Sequence, residues 1–211
     1  MPRFDKKMSL HTTISQYYDQ LIRKHGITSS GAVGWSSGKQ EIRFLDLLKN
    51  LDLQNKYSIL DLGCGRGDLF EYLKNFSTSK DYSYLGCDVN LTFIDYACER
   101  YSMDNRSQFL FIENDFPTNI EQKSFDYCVA SGLLSSSFVT REYRDSILQN
   151  LFLTASKAIS FNLLTKDVDF EESKYFYSEI SEVIRMFEPI SSKIIVERNP
   201  NLYEKTITIY K

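Results

Sequence analysis

At 211 residues, with 42% hydrophobic and 14% aromatic residues, the chain has about the length of one domain and the apolar content of a packed globule, which excludes general disorder. Nine glycines, four prolines and no internal repeat exclude collagen-like, coiled-coil and low-complexity classes. A net charge of −3, from 25 basic and 28 acidic residues, lacks the basic excess of a protein that lives on nucleic acid.

A helix is expected from about Ser9 to Lys24. A Gly/Ser-rich loop from Gly26 to Gly38 follows and holds the single tryptophan, Trp35; its length suits a lid or a ligand contact. Ser37-Gly38-Lys39-Gln40 fits a capping box with Ser37 at N-cap, and Ile42, Leu45 and Leu48 then give an apolar face. Seven strand-like runs come next: Tyr57 to Leu62, Tyr82 to Cys87, Phe109 to Ile112, Phe125 to Ala130, Ala158 to Leu163, Lys193 to Val196 and Thr206 to Tyr210. Helical stripes alternate with them. Leu69, Tyr72, Leu73 and Phe76 form one, and Leu91, Ile94, Cys98 and Tyr101, capped by Asn90, form another. Tyr143, Ile147, Leu151 and Ala155 follow Thr140, and Ile180, Val183, Ile184 and Phe187 follow Ser178. Alternation of this kind implies a parallel sheet covered on both faces. The last two strands are joined by too few residues for a crossover helix, so they should be antiparallel. The expected fold class is α/β: a seven-stranded mixed sheet with helices on both faces and an antiparallel C-terminal hairpin at one edge.

Cys64, Cys87, Cys98 and Cys128 contain no C-x-x-C pair, and with His11 and His25 as the two histidines no zinc constellation follows from spacing. Reduced thiols in a cytoplasmic protein are the expectation, with Cys87, Cys98 and Cys128 in the core. The N-terminal MPRFDKKMSL has no apolar h-region after it, and no run approaches the roughly 20 apolar residues that span a bilayer, so no membrane partner is expected.

The chemistry concentrates in Asp61-Leu62-Gly63-Cys64-Gly65-Arg66-Gly67-Asp68, which leaves a strand, turns on glycines and opens a helix. Such a turn lets a ligand approach the backbone and presents unpaired N–H groups. A dinucleotide fingerprint would place a third glycine where Asp68 stands, and two acids beside a pyrophosphate would cost affinity. The same acids suit a cationic ligand such as S-adenosylmethionine. The P-loop pattern fails as well, with Val33 and Gln40 at its required positions. Asp88 at the next strand tip can accept ribose hydroxyls. Asp115-Phe116 at the third tip offers a carboxylate and an apolar face to an adenine. Ala130-Ser131-Gly132 at the fourth leaves room for a ligand. Asp126 opens a strand and reads as structural.

The order Asp-x-Gly-x-Gly-x-Gly, Asp88, Asn114-Asp115 and Phe125-Asp126-x-x-x-Ala-Ser-Gly resembles the class I S-adenosylmethionine-dependent methyltransferases, and over about residues 40 to 211 the chain is similar to them. Gly34-Trp35-Ser36-Ser37 and Phe161-Asn162-Leu163-Leu164 resemble small bacterial methyltransferases of unassigned substrate. The resemblance implies a Rossmann-like core over residues 41 to 211, with residues 1 to 40 as a helical lid of one domain. It implies that Gly63 and Gly65, with the Cys64 backbone, underlie the methionine part of the cofactor while Asp61 steadies its ammonium. Asp88 would hold the ribose, Val89, Asp115 and Phe116 the adenine, and Ser131 the methyl end. Arg43, or the backbone of Trp35 and Ser36, would meet the cofactor carboxylate.

Methyl transfer needs alignment and exclusion of water, and a base only for a hydroxyl or ammonium acceptor. The candidates for that base are His11, Tyr17, Tyr18 and His25. The acceptor pocket is expected from residues 1 to 40 and from Leu164 to Tyr177. The fourth strand lacks the Asn/Asp-Pro-Pro-Tyr/Phe ending of enzymes that methylate base or glutamine nitrogens, which favours a small-molecule acceptor over nucleic acid. Two alternatives stay open: a non-catalytic partner module of the same fold, and a nicotinamide-dependent oxidoreductase, against which the glycine spacing counts.

Overall fold

The computed structural model describes residues 10–34, 38–118 and 120–211. One sheet holds seven strands: β1 (Tyr57–Leu62), β2 (Tyr82–Asp88), β3 (Ser107–Phe111), β4 (Phe125–Ala130), β5 (Ala155–Leu164), β6 (Lys193–Arg198) and β7 (Glu204–Tyr210). The helices are α1 (Leu10–His25), α2 (Lys39–Leu48), α3 (Asp68–Phe76), α4 (Leu91–Arg100), α5 (Arg141–Thr154) and α6 (Ile180–Phe187). The strand order is β3-β2-β1-β4-β5-β7-β6. The first five strands pair in parallel, and β7 runs antiparallel to both β5 and β6. The closing hairpin is therefore antiparallel, as its short connection requires. Its last strand returns into the sheet, because the crossover through α6 sets β6 one strand away from β5 and the turn at Asn199 brings β7 into the gap.

Side chains of a strand alternate between its faces, and β1 divides the core accordingly. Ile59 packs with Leu47, Leu69, Phe70 and Ala97 from α2, α3 and α4. Leu60 and Leu62 pack with Ile147, Leu151, Val183 and Phe187 from α5 and α6. Helices cover both faces, and the chain reverses its winding between β1 and β4. The crevice outside the carboxyl ends of those two strands is where open α/β sheets take ligands.

The caps of α4 and α5 are those the sequence indicates: Asn90 Oδ1 accepts from the Phe93 N–H at 3.0 Å and Thr140 Oγ1 from the Tyr143 N–H at 3.2 Å. Two others are corrected. Helix α2 begins after Gly38, whose φ of 83° serves the N-cap position, and Ser37 lies outside the described residues. Gln40 does not close a capping box but donates to Asp68 Oδ2 at 3.1 Å. Helix α6 begins after Glu179, because the backbone N–H of Ser178 is held by the Leu164 carbonyl at 2.8 Å, which keeps Ser178 in the preceding extended segment. The stripe of α4 is rotated from the expected one. Phe93, Ile94 and Ala97 face inward while Leu91 and Cys98 are exposed, so Cys98 is not a core residue. Cys87 and Cys128 are core residues. Asp126 is structural as read: its Oδ2 accepts from the Ser58 N–H at 2.9 Å, and Lys157 pairs with its other oxygen at 3.0 Å. Among the described residues no helix is long and apolar enough to cross a membrane.

Candidate active site

Between β1 and α3 the chain turns through Gly63, Gly65 and Gly67, with φ of +77°, +54° and +80°. The Gly63 and Cys64 N–H groups donate to the Cys87 carbonyl at 2.8 and 3.1 Å, which ties the turn to the tip of β2. Gly67 has no room for a side chain, since a Cβ there would lie 2.7 Å from Tyr101 and 2.9 Å from Phe109. Gly65 is different: the nearest atom to a Cβ would be Val33 Cγ1 at 3.4 Å, on the far side of the cleft that the turn lines.

Two buried carboxylates flank this turn. Asp88 accepts from the Gly65 N–H at 2.8 Å through Oδ2 and from the Asn90 N–H at 2.9 Å through Oδ1. Burial pushes its pKa up to about 6 against the pull of those backbone donors. Asp61 accepts from the Tyr84 hydroxyl at 2.6 Å through Oδ2, while its buried Oδ1 has no hydrogen-bond partner among the described residues. Burial pushes the Asp61 pKa up to about 7; the Tyr84 bond opposes the rise and the neighbouring Asp88 adds to it. A buried polar atom without a partner is costly unless a ligand supplies one.

The cleft takes in about 840 Å³ of non-atom space, open solvent included. Its floor is made of strand tips: Asp61 to Gly65, then Asp88 and Val89, then Ile112 and Asp115, then Ser131 to Leu133. Its cover is Ile14 and Tyr18 of α1, Val33, and Gln40 and Phe44 of α2, with Tyr143 of α5 at the side.

The sequence matches the methyltransferase domain family over residues 60–155, which spans the glycine turn and the tips of β1 to β4. The protein Rv1506c of Mycobacterium tuberculosis, which carries a methyltransferase name, is 25% identical over 172 residues, covering 78% of this chain and 99% of its own. Magnesium protoporphyrin IX methyltransferase from Synechocystis, solved with bound S-adenosylmethionine, superposes with a TM-score of 0.66 at 12% identity, over 99% of this chain and 100% of that one. Phosphoethanolamine N-methyltransferase 1 from Haemonchus contortus gives 0.70 at 14% identity, over 99% of this chain and 51% of its own. Residues 60–155 thus match the methyltransferase domain, and the chain as a whole has the fold of these S-adenosylmethionine-dependent methyltransferases.

The cleft gathers Asp61, Gly63, Cys64, Gly65, Asp88, Val89, Asp115 and Ser131, eight of the residues singled out from sequence. Phe116 packs instead against the core beneath the cleft. Arg43 is a correction. It is 2% exposed and turned toward β7, where Glu204 Oε2 accepts from its Nε at 2.7 Å and pairs with Nη2 at 2.6 Å. Arg43 is therefore engaged with the sheet and does not line the cleft. Trp35 and Ser36 lie outside the described residues.

Of the base candidates, Tyr18 alone lines the cleft. Burial, then the nearby Asp88 and Tyr17, push its phenol above the ordinary tyrosine range, so at neutral pH it is a hydrogen-bonding group and not a base. Tyr17 is 42% exposed and sets its ring edge-on against Tyr18 and Phe138. His25 is exposed at the end of α1. His11 Nδ1 lies 2.8 Å from Asp115 Oδ1 beside the β3 tip, three strand spacings (about 14 Å) from Ser131 at the β4 tip.

Several residues of the site carry little sequence signal. Tyr143 reads as one more apolar position of a helix stripe, yet it borders the cleft, where burial and the charges of Asp115 and Asp88 push its phenol up. Asn90 reaches past its capping role: its Nδ2 donates to the Ser15 carbonyl at 3.1 Å and to Asp19 Oδ1 at 2.8 Å, both on α1. Arg66, inside the glycine motif, donates through Nη1 to the carbonyls of Ile27 at 2.5 Å and Ser29 at 3.0 Å, just after α1. Asn162 Oδ1 accepts from the Gly132 N–H at 2.7 Å and fixes the β4 tip. The Leu164–Tyr177 segment folds over the residues after that tip, with Phe176 N–H donating to the Ser135 carbonyl and Ser137 N–H to that of Lys174.

Proposed function

We propose that this protein is a methyltransferase that moves a methyl group from S-adenosylmethionine to a small-molecule acceptor, on oxygen or nitrogen, by in-line displacement, with S-adenosylhomocysteine as product. The observation that carries the reading is the unpartnered Asp61 Oδ1, buried at the glycine turn and facing the cleft beside Asp88. An ammonium is the group that such an oxygen lacks. Asp61 would hold that ammonium, Gly63 and Gly65 would let the methionine part lie against the backbone, and Asp88, already oriented by two backbone donors, would accept from the ribose. Val89 and Asp115 would meet the adenine, and Ser131 would line the methyl end.

When bound, S-adenosylmethionine supplies an electrophilic methyl carbon on a sulfonium. The chain's task is then to align an acceptor and exclude water. Tyr18, Ile14 and Phe44 cover the cleft, and Asn162 holds the tip that carries Ser131. We infer that residues 1–40 act as a lid of a single domain, in support of which Asn90 ties the middle of α1, and Arg66 the residues after it, to the strand tips. A small acceptor is supported by the enclosed cleft and by the net charge of −3. It is also supported by fold neighbours named for magnesium protoporphyrin IX and phosphoethanolamine.

Titration calorimetry with S-adenosylhomocysteine tests the cofactor reading, with NAD as control. Micromolar binding that Asp88→Ala weakens about tenfold (about 1.4 kcal/mol) is expected. Binding of NAD in place of S-adenosylhomocysteine overturns it. Turnover of S-adenosylmethionine in a metabolite pool then identifies the acceptor, and absence of turnover with every fraction favours a partner module.

A further inference from the structure

The core contains several tyrosines whose hydroxyls serve the fold. Tyr57 donates to Ser77 at 2.7 Å, Tyr127 to the Asp52 carbonyl and Tyr101 to the Gly67 carbonyl, both at 3.1 Å. Tyr84 is built differently. Its ring is 2% exposed and wedged between Phe70 and Phe109, with centroids 5.1 and 5.8 Å away, so the phenylalanine ring alone would satisfy the packing. A hydroxyl in such surroundings costs free energy unless it is bonded. It donates to Asp61 Oδ2 at 2.6 Å, a cleft carboxylate and not a structural backbone group. The sheet register makes the contact possible: Asp61 stands opposite Gly86, which has no side chain, and Tyr84 is the next residue on that face of β2.

We propose that Tyr84 is a positioning residue for the cofactor, holding Asp61 by one oxygen so that the other faces the ligand's ammonium. The proposal rests on the reading of Asp61 given above. One oxygen anchored and one unpartnered is what a carboxylate needs to be both fixed in rotamer and available. The bond also favours the ionised carboxylate. The other titratable groups facing Asp61 are Asp88 and Cys87 of β2 and Cys64 of the turn, and none of them is cationic. Tyr84 is thus the protein group that opposes the burial penalty until the ammonium arrives.

The test compares two ligands on the full chain. S-adenosylhomocysteine carries the ammonium; 5′-methylthioadenosine keeps the nucleoside and lacks the amino-acid part. Tyr84→Phe conserves ring volume, so the core stays packed. It should weaken S-adenosylhomocysteine about tenfold, leave 5′-methylthioadenosine unchanged, and move the pH midpoint of S-adenosylhomocysteine affinity upward by about one unit. Asp61→Asn should weaken the same ligand and remove the step near pH 7, leaving that of Asp88 near pH 6. If Tyr84→Phe weakens both ligands equally with no shift of the midpoint, the hydroxyl serves packing and the proposal is overturned. If Asp61→Asn weakens S-adenosylhomocysteine and Tyr84→Phe does not, the proposal falls while the Asp61 reading stands. If Asp61→Asn leaves binding intact, the Asp61 reading itself falls.

Discussion

A methyl group added at Gly67 would meet two separate obstacles, and their sizes can be worked from the coordinates. The backbone there has φ of +80°, a conformation that costs an L-residue about 1–2 kcal/mol. The new Cβ would sit 2.7 Å from Tyr101 Cε2 and 2.9 Å from Phe109 Cε1, inside the contact distance of carbon atoms. Both rings are stacked on each other and pinned, Tyr101 by its hydroxyl bond to the Gly67 carbonyl, so neither can swing away without repacking. Overpacking of this kind costs about 1–3 kcal/mol more. Gly67→Ala should therefore destabilise by about 2–5 kcal/mol, which for a chain of this length lowers Tm by roughly 10 °C. Gly26→Ala is the control: φ is +77° there, but nothing lies within 4 Å of its Cβ, so strain alone should cost about 1–2 kcal/mol. Urea and thermal unfolding of both variants measure the difference. Equal losses would mean that the turn shifts freely and that the close approach of α3 to the aromatic cluster does not hold Gly67.

The pKa values of Asp61 and Asp88 bear on stability without ligand. Both are raised, to about 7 and about 6, above the ordinary carboxylate value, so the folded state binds protons that the unfolded state has released. Their contribution is fully present below about pH 4 and is lost as pH rises through 6 and 7. Thermal unfolding of the ligand-free protein should show Asp61→Asn losing less stability than the parent between pH 5 and 8; a parent that gains more than the variant over that range contradicts the assignment. Arg43→Met leaves Glu204 buried and unpaired and should cost about 3–5 kcal/mol, while Arg43→Met with Glu204→Leu should cost much less than the two single changes together. Denaturant midpoints of the three variants decide it. Thiol labelling of the native protein should modify Cys98 alone at speed, since Cys64, Cys87 and Cys128 are buried and burial raises their thiols. Fast labelling of Cys64 would mean that the glycine turn is open to solvent.

The strands were legible because their runs of Tyr, Ile, Val and Phe are bounded by Gly, Asp and Asn, so β1 and β4 fall at the expected residues and the others within three. The glycine turn and the acids at the β1, β2 and β3 tips were legible because a ligand site at a sheet edge draws its residues from short, contiguous segments. What stayed hidden depends on contacts between distant segments. Arg43 reads in sequence as a partner for the cofactor carboxylate, and only the return of β7 into the sheet puts Glu204 beside it. Tyr84 is one aromatic among many in a strand until the register places it next to Asp61. Cys98 fits an apolar stripe, yet Phe93 and Ala97 claim the inward face. Ser178 looks like a cap, but a bond to Leu164 holds it outside the helix.

Three of the polar ties to helix α1 and the residues just after it grow from strand tips: Arg66 after β1, Asn90 after β2 and Asp115 after β3. On the helix itself Ile14 is buried, and Tyr17 and Tyr18 set their rings against Phe138 and Phe93. Its grip on the protein therefore joins this apolar contact to polar ties borrowed from the residues beneath it. A nucleoside held under it as proposed would leave only as fast as Arg66, Asn90 and Asp115 let go together with the Tyr17 and Tyr18 rings, whatever the speed of the chemistry on the other side of the cleft.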